Sequence, residues 1–291
     1  MCPAVQTVSF PRRRESIFIT TPVPNHQWIS ACAEMTGESD RYIRLKAILA
    51  ESKSVMMLLF MNLKMTIAQR IIRIKNHIQK LEAEFHRPSG SVTLLAVSKG
   101  HSSESIRQAQ AAGLNEFGEN YWQEAQKKIS ELRDLPIRWH FIGAIQSNKA
   151  AEIAACVGWV HSVDREKTAR LLSMHRPASM PPLKICIQVK LDQEASKSGI
   201  TPEELAPLAR LITELPRLKL CGLMAIPMPR ENETEQYQSL LRLSQLLDKL
   251  NQQTGLKLNT LSMGMSDDMD AAIRAGSTMI RIGRAIFGER Q

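Results

Sequence analysis

The sequence predicts an α/β protein, a single TIM-type (β/α)8 barrel that is preceded by an amphipathic helix and a poorly ordered N-terminal extension. From Met65 onward, short apolar segments alternate with longer segments of helical periodicity. The strand-like segments number eight, which is the count of this barrel. Some of them, such as 184–189, are almost continuously apolar, as in a parallel sheet covered on both faces. A doubly wound open sheet is the alternative fold.

Residues 1–64 differ in character from residues 65–291. They contain four prolines and a basic run at 12–14, and no periodicity is sustained, which favours a disordered leader. We interpret 65–291 as the barrel domain. The leader is then an upstream artefact of start-site choice, or alternatively a true targeting or regulatory segment. The first hypothesis rests on the four methionines near the boundary, Met56, Met57, Met61 and Met65.

The first periodic segment is an amphipathic helix. Six apolar residues recur at spacings of three and four, and Pro88 ends the pattern. These residues are Ile67, Ile71, Ile74, Ile78, Leu81 and Phe85. We expect this helix either to cap the barrel or to act as the partner of the last strand.

Strands and helices then follow in strict alternation. The eight strands are expected at 92–97, 116–117, 139–142, 159–162, 183–189, 218–225, 260–262 and 279–282. The seven intervening helices are expected at 103–112, 121–132, 148–156, 164–175, 202–215, 233–254 and 267–275. Thr201, Pro202 and Glu204 form the start signal of one helix, and Gly113 and Gly276 lie where two others should end.

Composition narrows the class of protein. The formal net charge is +9, but no segment is a dense basic stripe with interleaved aromatics, so we expect no nucleic-acid partner. The longest apolar run, 55–63, is far shorter than the roughly 20 residues of a membrane span, so we expect no membrane partner. The five cysteines form no CxxC-type pair, which argues against a disulfide framework or a zinc site. We therefore expect a cytoplasmic protein, and a monomer.

The residues that end the strands are the candidates for chemistry, because active sites of this barrel lie at the carboxyl ends of its strands. Lys99 directly follows the first strand. A lysine that is partly desolvated there favours the neutral, nucleophilic amine. Lys190 ends the fifth strand in the same way and competes for the role. The alternative for either lysine is a solvated side chain.

The last two strands end in features typical of a phosphate site. Ser266 is expected to be the N-cap of the helix that begins at Asp267, and Gly283 follows the eighth strand. The charges of Asp267 and Asp268 count against a phosphate, and the alternatives are an ordinary cap and a tight turn. A lysine together with a phosphate seat suggests a phosphorylated carbonyl compound, either pyridoxal phosphate or a phosphosugar in an aldolase.

Six segments carry a resemblance to a known family. They are 94–99 (LLAVSK), 117–120 (FGEN), 139–149 (WHFIGAIQSNK), 196–199 (SKSG), 222–227 (GLMAIP) and 261–288 (LSMGMSDDMDAAIRAGSTMIRIGRAIFG). Together they resemble the pyridoxal phosphate homeostasis protein family, whose barrel is similar to the N-terminal domain of bacterial alanine racemase. The resemblance covers residues 65–291 and none of 1–64.

The resemblance implies a role for seven residues. Lys99 would form a Schiff base with pyridoxal 5′-phosphate, and Arg281 would face the pyridine nitrogen. The residues implied in binding the phosphate or contacting the ring are Ser266, Gly283, Arg284, Asn120 and Met224. Many relatives carry threonine at position 284, so that hydroxyl is missing here and only the backbone N–H matches.

The same residues suggest a carrier of the cofactor with little or no turnover. Arg281 has no hydrogen-bond acceptor, so it would leave the ring nitrogen unprotonated and weaken the electron sink. A two-base racemase needs a second acid–base group, supplied in alanine racemase by a tyrosine of an added domain. Only seven residues follow Arg284, and we expect no such domain. We interpret His140 as a packed or hydrogen-bonded residue.

The expected function is therefore intracellular vitamin B6 homeostasis. The cofactor would be held and handed on, with pyridoxal phosphate-dependent apoenzymes as possible recipients. A small amino-acid racemase is the alternative function, and a class I-type aldolase is a further one.

Overall fold

The computed structural model describes residues 65–192, 198–228, 230 and 232–289. The predicted leader, 1–64, lies outside the described residues, and its interpretation stays a prediction. Half of the SKSG segment, at 196–197, also lies outside them.

The eight strands form a closed barrel in chain order, and all neighbouring strands are parallel. The last strand closes the barrel by pairing with the first. This confirms the (β/α)8 prediction and excludes the doubly wound sheet. The strands are β1 (Thr93–Val97), β2 (Glu116–Glu119), β3 (Arg138–Phe141), β4 (Trp159–Val163), β5 (Leu183–Gln188), β6 (Leu218–Met224), β7 (Thr260–Ser262) and β8 (Met279–Ile282).

Among the described residues, one helix precedes the first strand, one follows the last, and the others lie between strands. They are α1 (Ile67–Glu84), α2 (Ser103–Ala111), α3 (Trp122–Glu131), α4 (Ala150–Cys156), α5 (Glu166–His175), α6 (Leu205–Glu214), α7 (Glu233–Thr254), α8 (Met269–Arg274) and α9 (Arg284–Phe287). Short 3-10 turns, Ser147–Lys149 and Pro202–Glu204, precede α4 and α6. The predicted stop signals are confirmed, since Gly113 and Gly276 follow α2 and α8 with positive φ angles.

The largest error in a predicted strand is at β2, which is two residues longer than expected. Its last residues, Gly118 and Glu119, are not apolar and are therefore invisible to a hydropathy pattern. They belong to the strand because they pair with His140 and Phe141 of β3. The hydrogen-bonded pairing with β3, and not the residue composition, therefore determines where this strand ends.

Helix α1 occupies the outer layer of the barrel. It starts with a capping box between Thr66 and Gln69, and it buries Ile71, Ile74 and Ile78. It packs against α2, α8 and α9. Because α8 precedes β8 and α2 follows β1, α1 covers the seam between the last strand and the first. Of the two roles expected for this helix, the structure therefore confirms that of partner of the last strand and not that of a cap on the barrel.

The core has an inner and an outer part. Leu95 and Val97 of β1 point into the barrel, where they pack with Ile142 and Met279. The intervening residues of β1 pack between the strands and the helices. Since all strands are parallel, the loops that follow them meet at one mouth of the barrel. None of the helices in the described part of the chain has the length and apolarity that crossing a membrane requires.

Candidate functional site

Lys99 lies at the mouth of the barrel, in the turn that follows β1, and it is half-buried. The alternation of β1 directs Leu95 and Val97 into the barrel interior. Lys99 lies two residues beyond the end of β1, in the turn that leads away from the strand. The sequence prediction that Lys99 lies just after the first strand is confirmed, since β1 ends at Val97.

A buried ion-pair network lies beneath the Lys99 loop, on the helix side of the strands. The ammonium group of Lys128 donates to the carbonyl oxygen of Ser98 at 2.6 Å, to Glu119 Oε1 at 2.7 Å and to Glu124 Oε1 at 2.6 Å. The side chains of Lys128 and Glu119 are only 6% and 1% exposed. Burial raises the pKa of Glu119, and the ammonium group of Lys128 opposes that rise.

The same network holds the backbone on both sides of Lys99. The Ser98 hydroxyl donates to Glu119 at 2.6 Å, and the Gly100 N–H donates to Glu124 Oε1 at 2.6 Å. The residues before and after Lys99 are therefore fixed by buried or partly buried carboxylates. The position from which the Lys99 side chain departs is set by this network.

The loop that follows β8 lies directly beside the loop of Lys99. Ala96 of β1 pairs with Ile282 of β8. A Cβ atom on Gly283 would lie 3.2 Å from the carbonyl oxygen of Val97, a tight contact that would require the neighbouring backbone to shift by a few tenths of an ångström. Gly283 is also the N-cap residue of α9, whose first N–H groups have no partner inside the helix. These N–H groups are at the same end of the barrel as Lys99.

The prediction that Ser266 is the N-cap of a helix beginning at Asp267 is wrong. Helix α8 begins at Met269, Asp268 takes the N-cap position, and Ser266 lies in a preceding turn. The physical reason is that the Asp268 carboxylate accepts the N–H of Met265 at 2.5 Å and closes a turn before the helix starts. Ser266 is half-buried in the loop after β7, beside the loop after β8.

The acidic pair in this loop is partly compensated. Asp267 accepts a hydrogen bond from Arg284 at 3.1 Å, and this exposed ion pair joins the loops after β7 and β8. Burial raises the pKa of Asp268, while its hydrogen bond from Met265 and the charge of Arg281 oppose the rise. The guanidinium of Arg284 thus directs its charge at Asp267.

Arg281 points from β8 into the barrel and is 5% exposed. Its Nη1 donates to the carbonyl oxygen of Ser262 at 2.5 Å and to Ser262 Oγ at 3.0 Å, and its Nη2 donates to the carbonyl oxygen of Ala225 at 3.0 Å. These bonds use three of the five N–H donors of a guanidinium. Burial lowers the pKa of Arg281 to about 10, so the group is still a cation at neutral pH.

Asn120 follows β2 at the same mouth. Its Oδ1 atom is buried and has no hydrogen-bond partner among the described residues. Because an unpaired buried amide oxygen is costly, this atom is a candidate acceptor for a ligand. A Cβ atom on Gly143 would lie 1.8 Å from the carbonyl oxygen of Asn120, so the loop after β3 fixes the backbone at Asn120.

Met224 is the last residue of β6 and is fully buried. In the sheet it lies between Gln188 of β5 and Ser262 of β7. Met224 is therefore the sheet neighbour of Ser262, whose two oxygens accept hydrogen bonds from Arg281.

Lys190, the competing lysine, lies in a different place. Its N–H donates to the carbonyl oxygen of Ile200 after β5, a strand that is not a neighbour of β8. Its side chain lines a surface groove with Arg242, Leu246 and Lys249 of α7. Lys99, by contrast, is carried by the strand next to β8, so the topology favours Lys99 as the lysine near the Gly283 loop.

The fold thus brings all seven predicted residues to one end of the barrel. They lie at or just beyond the carboxyl ends of β1, β2, β6, β7 and β8, and they are Lys99, Asn120, Met224, Ser266, Arg281, Gly283 and Arg284.

Sequence reasoning missed the residues that hold this set in place. Lys128 and Glu119 are charged residues at positions that face the core. A charged residue at a core-facing position was the signal in the sequence that could have identified them. Ser262 and His161 are polar residues within apolar strands and carry the same signal. Nothing in their spacing links them to Arg281.

The chain matches known proteins over the barrel. Residues 71–291 match the family model described as "Alanine racemase, N-terminal domain". An alanine racemase from Corynebacterium glutamicum has a similar structure, with a TM-score of 0.58 over 77% of this chain and 61% of its own. At 16% identity, this likeness shows the shared fold alone. The fold and the site define a barrel of the alanine racemase N-terminal type.

More similar relatives define the family within this class. Proteins named "Pyridoxal phosphate homeostasis protein" are 52% identical in Pseudomonas aeruginosa and 44% identical in Escherichia coli K12. Each alignment covers 77% of this chain, and 96% and 97% of the relatives. PipY of Synechococcus elongatus, solved with PLP bound, is 36% identical, with a TM-score of 0.68 over 77% of this chain and all of its own. The chain belongs to the pyridoxal phosphate homeostasis protein family.

We expect Lys128→Met to destabilise the barrel by about 3–5 kcal/mol, because it leaves the buried carboxylate of Glu119 without its cation. Urea denaturation followed by circular dichroism measures this change. The matched control is Lys127→Met on the same helix, whose side chain is 77% exposed and whose loss should change the free energy of unfolding by less than about 0.5 kcal/mol. Equal effects of the two substitutions would contradict the structural role of Lys128.

Proposed function

We propose that this protein binds pyridoxal 5′-phosphate as a Schiff base on Lys99 and serves in intracellular vitamin B6 homeostasis, with little or no turnover. The observation that carries the proposal is that Lys99 and Gly283 follow β1 and β8, which are neighbours at the closure of the barrel. One small phosphorylated aldehyde can therefore reach both the amine and the donors of α9. The names of the relatives and the PLP-bound structure of PipY support the identity of that aldehyde.

The residues at the mouth fit this cofactor. The phosphate would bind to the N–H groups at the start of α9, around Gly283 and Arg284, with Ser266 on the neighbouring loop. The unpartnered Oδ1 of Asn120 offers an acceptor toward the ring. Arg281 donates three hydrogen bonds to the protein, so two of its five N–H groups remain for the pyridine nitrogen. Met224 would pack beside the ring.

The covalent attachment needs no reactant other than Lys99 and the cofactor. Lys99 would hold the cofactor through a carbon–nitrogen double bond between its amine and the aldehyde carbon, and the aldehyde oxygen would leave as water. The reaction is reversible, because water or another amine can take the place of Lys99. This reversibility suits a protein that holds the cofactor and releases it to pyridoxal phosphate-dependent apoenzymes.

The charge of Arg281 supports little or no turnover. With a pKa of about 10, its guanidinium is cationic at neutral pH and has no acceptor for a proton of the ring. A ring nitrogen that stays unprotonated withdraws electrons weakly, so α-proton removal from an amino acid gains little from the cofactor.

The described tyrosines and His140 do not offer a second acid–base group inside the mouth. The Tyr121 side chain is on the surface, with the residue 63% exposed. Tyr237 lies on the outer helix α7 beneath the guanidinium of Arg274. His140 is buried and hydrogen-bonded to Glu116, as the sequence interpretation expected.

We further propose that the protein acts as a monomer in the cytoplasm. The described cysteines, Cys156, Cys186 and Cys221, are free thiols, which supports a reducing compartment.

Reduction with borohydride tests the attachment site directly. We expect the purified protein with added pyridoxal 5′-phosphate to absorb visible light and to yield, after reduction, a pyridoxyl adduct on Lys99 in peptide mass spectrometry. Lys99→Ala should abolish this adduct. Lys190→Ala is the matched control, because that lysine also ends a strand and should leave the adduct intact. An adduct retained in Lys99→Ala, or lost in Lys190→Ala, would show that the assignment is wrong.

Isotope exchange tests the expectation of little turnover. We expect a panel of α-deuterated amino acids to lose no more deuterium with the loaded protein than with free pyridoxal 5′-phosphate. Deuterium loss above that background, together with racemisation of the same amino acid, would instead support the amino-acid racemase. Proton NMR of the α position measures both.

A further inference from the structure

A chain of hydrogen bonds crosses the barrel interior beneath the mouth. It runs from Arg281 Nη1 to Ser262 Oγ (3.0 Å), from Ser262 Oγ to His161 Nδ1 (2.8 Å), from His161 Nε2 to His140 Nδ1 (2.9 Å) and from His140 Nε2 to Glu116 Oε2 (2.8 Å). The three middle residues are at most 1% exposed, since Ser262 and His161 are fully buried and His140 is 1% exposed. The chain therefore links Arg281 to Glu116 without passing through solvent.

The chain connects opposite sides and opposite ends of the barrel. Ser262 ends β7 at the mouth, whereas Glu116 is the first residue of β2 at the other end. His161 belongs to β4, which is not a neighbour of β7, so the contact between Ser262 and His161 spans the interior. Apart from this chain, the inner cluster around Leu95 and Ile142 is apolar.

The two ends of the chain determine where its hydrogen atoms lie. Arg281 can only donate, so Ser262 Oγ accepts from it and gives its own hydrogen to His161 Nδ1. His161 then carries its hydrogen on Nε2 and donates to His140 Nδ1. His140 in turn carries its hydrogen on Nε2 and donates to the carboxylate of Glu116, which can only accept when ionised. Every link is satisfied when both imidazoles are neutral Nε2–H tautomers.

The electrostatic environment agrees with this arrangement. Burial lowers the pKa of His140, although the carboxylate of Glu116 opposes the change. Burial also lowers the pKa of His161 well below its usual value, and the charge of Arg281 acts in the same direction. Burial would raise the pKa of Glu116, but hydrogen bonds from His140 and Arg138 outweigh it and the pKa is lowered. The imidazoles are therefore neutral and the carboxylate is ionised at neutral pH.

We propose that Ser262, His161 and His140 are positioning residues that fix the guanidinium of Arg281 at the mouth of the barrel. This inference rests on the proposed function, in which Arg281 faces the pyridine nitrogen. In the described part of the chain, no carboxylate lies within ion-pair distance of Arg281, so neutral acceptors alone set its orientation. Ser262 supplies two of the three acceptors, and the histidines hold its hydroxyl in the accepting direction.

The tautomers of the two histidines test the arrangement in the cofactor-free protein. We expect long-range proton–nitrogen NMR spectra at pH 7 to show both His140 and His161 as neutral Nε2–H tautomers. An Nδ1–H tautomer or a charged ring at either position would overturn the assigned direction of the chain. This measurement needs neither a substitution nor the cofactor. It therefore tests the direction of the hydrogen-bond chain even if a variant fails to fold or the proposed function is wrong.

Ser262→Ala tests the consequence for the cofactor. Losing a hydrogen bond to a charged group should weaken pyridoxal 5′-phosphate binding by about tenfold or more, and the absorption spectrum of the bound cofactor should shift as Arg281 moves from the ring nitrogen. The matched control is Ser277→Ala. Ser277 is also fully buried, and its hydroxyl contacts the carbonyl oxygens of Leu261, Met263 and Met279 but not Arg281.

We expect Ser277→Ala to alter stability while leaving the spectrum and both tautomers unchanged. Equal affinity and equal spectra in the two variants would overturn the positioning role. Failure of the unaltered protein to form an adduct on Lys99 would instead overturn the proposed function, and the two failures are therefore distinguishable.

Discussion

The pairing of β8 with β1 is the constraint on which the rest of the site depends. The two strands are separated by nearly the whole barrel sequence, and only closure brings Ala96 beside Ile282. Closure places the Lys99 turn next to Gly283, where a Cβ atom would make a tight contact with the carbonyl oxygen of Val97. An open sheet with the same strands would leave the lysine and the α9 donors at opposite edges. The proposed site, where one ligand would reach both Lys99 and the α9 donors, therefore depends on the closed topology.

Two buried polar networks then refine what closure provides. On the helix side, Lys128 and two glutamates fix the peptides that flank Lys99. On the inner side, Ser262 and the histidines orient Arg281. Buried polar groups of this kind are costly unless every partner is present, so they specify one geometry rather than adding much stability. Removing a link should therefore disturb the position of a functional group as well as the free energy of folding.

The sequence was sufficient for the barrel and for residues that follow its strands, such as Lys99 and Gly283, because both depend on local signals. The other candidate residues at the mouth, such as Asn120 and Met224, came from the resemblance to the family. Apolar segments, caps and strand-ending residues are read within a few positions, and the observed strands differ from the predicted ones by at most two residues at either end. The prediction that Ser266 is an N-cap was wrong because Asp268, two residues further on, accepts a hydrogen bond from the Met265 N–H, and the helix begins only after Asp268. The polar chain could not be predicted, since its links join residues as far as 101 positions apart and have no periodicity.

The crystal structure of the protein with pyridoxal 5′-phosphate tests the central claim most directly. Our account predicts continuous density from Lys99 Nζ through the ring to a phosphate between the Ser266 and Gly283 loops, with the guanidinium of Arg281 against the ring nitrogen. A phosphate bound elsewhere, or a ring nitrogen turned away from Arg281, would contradict it.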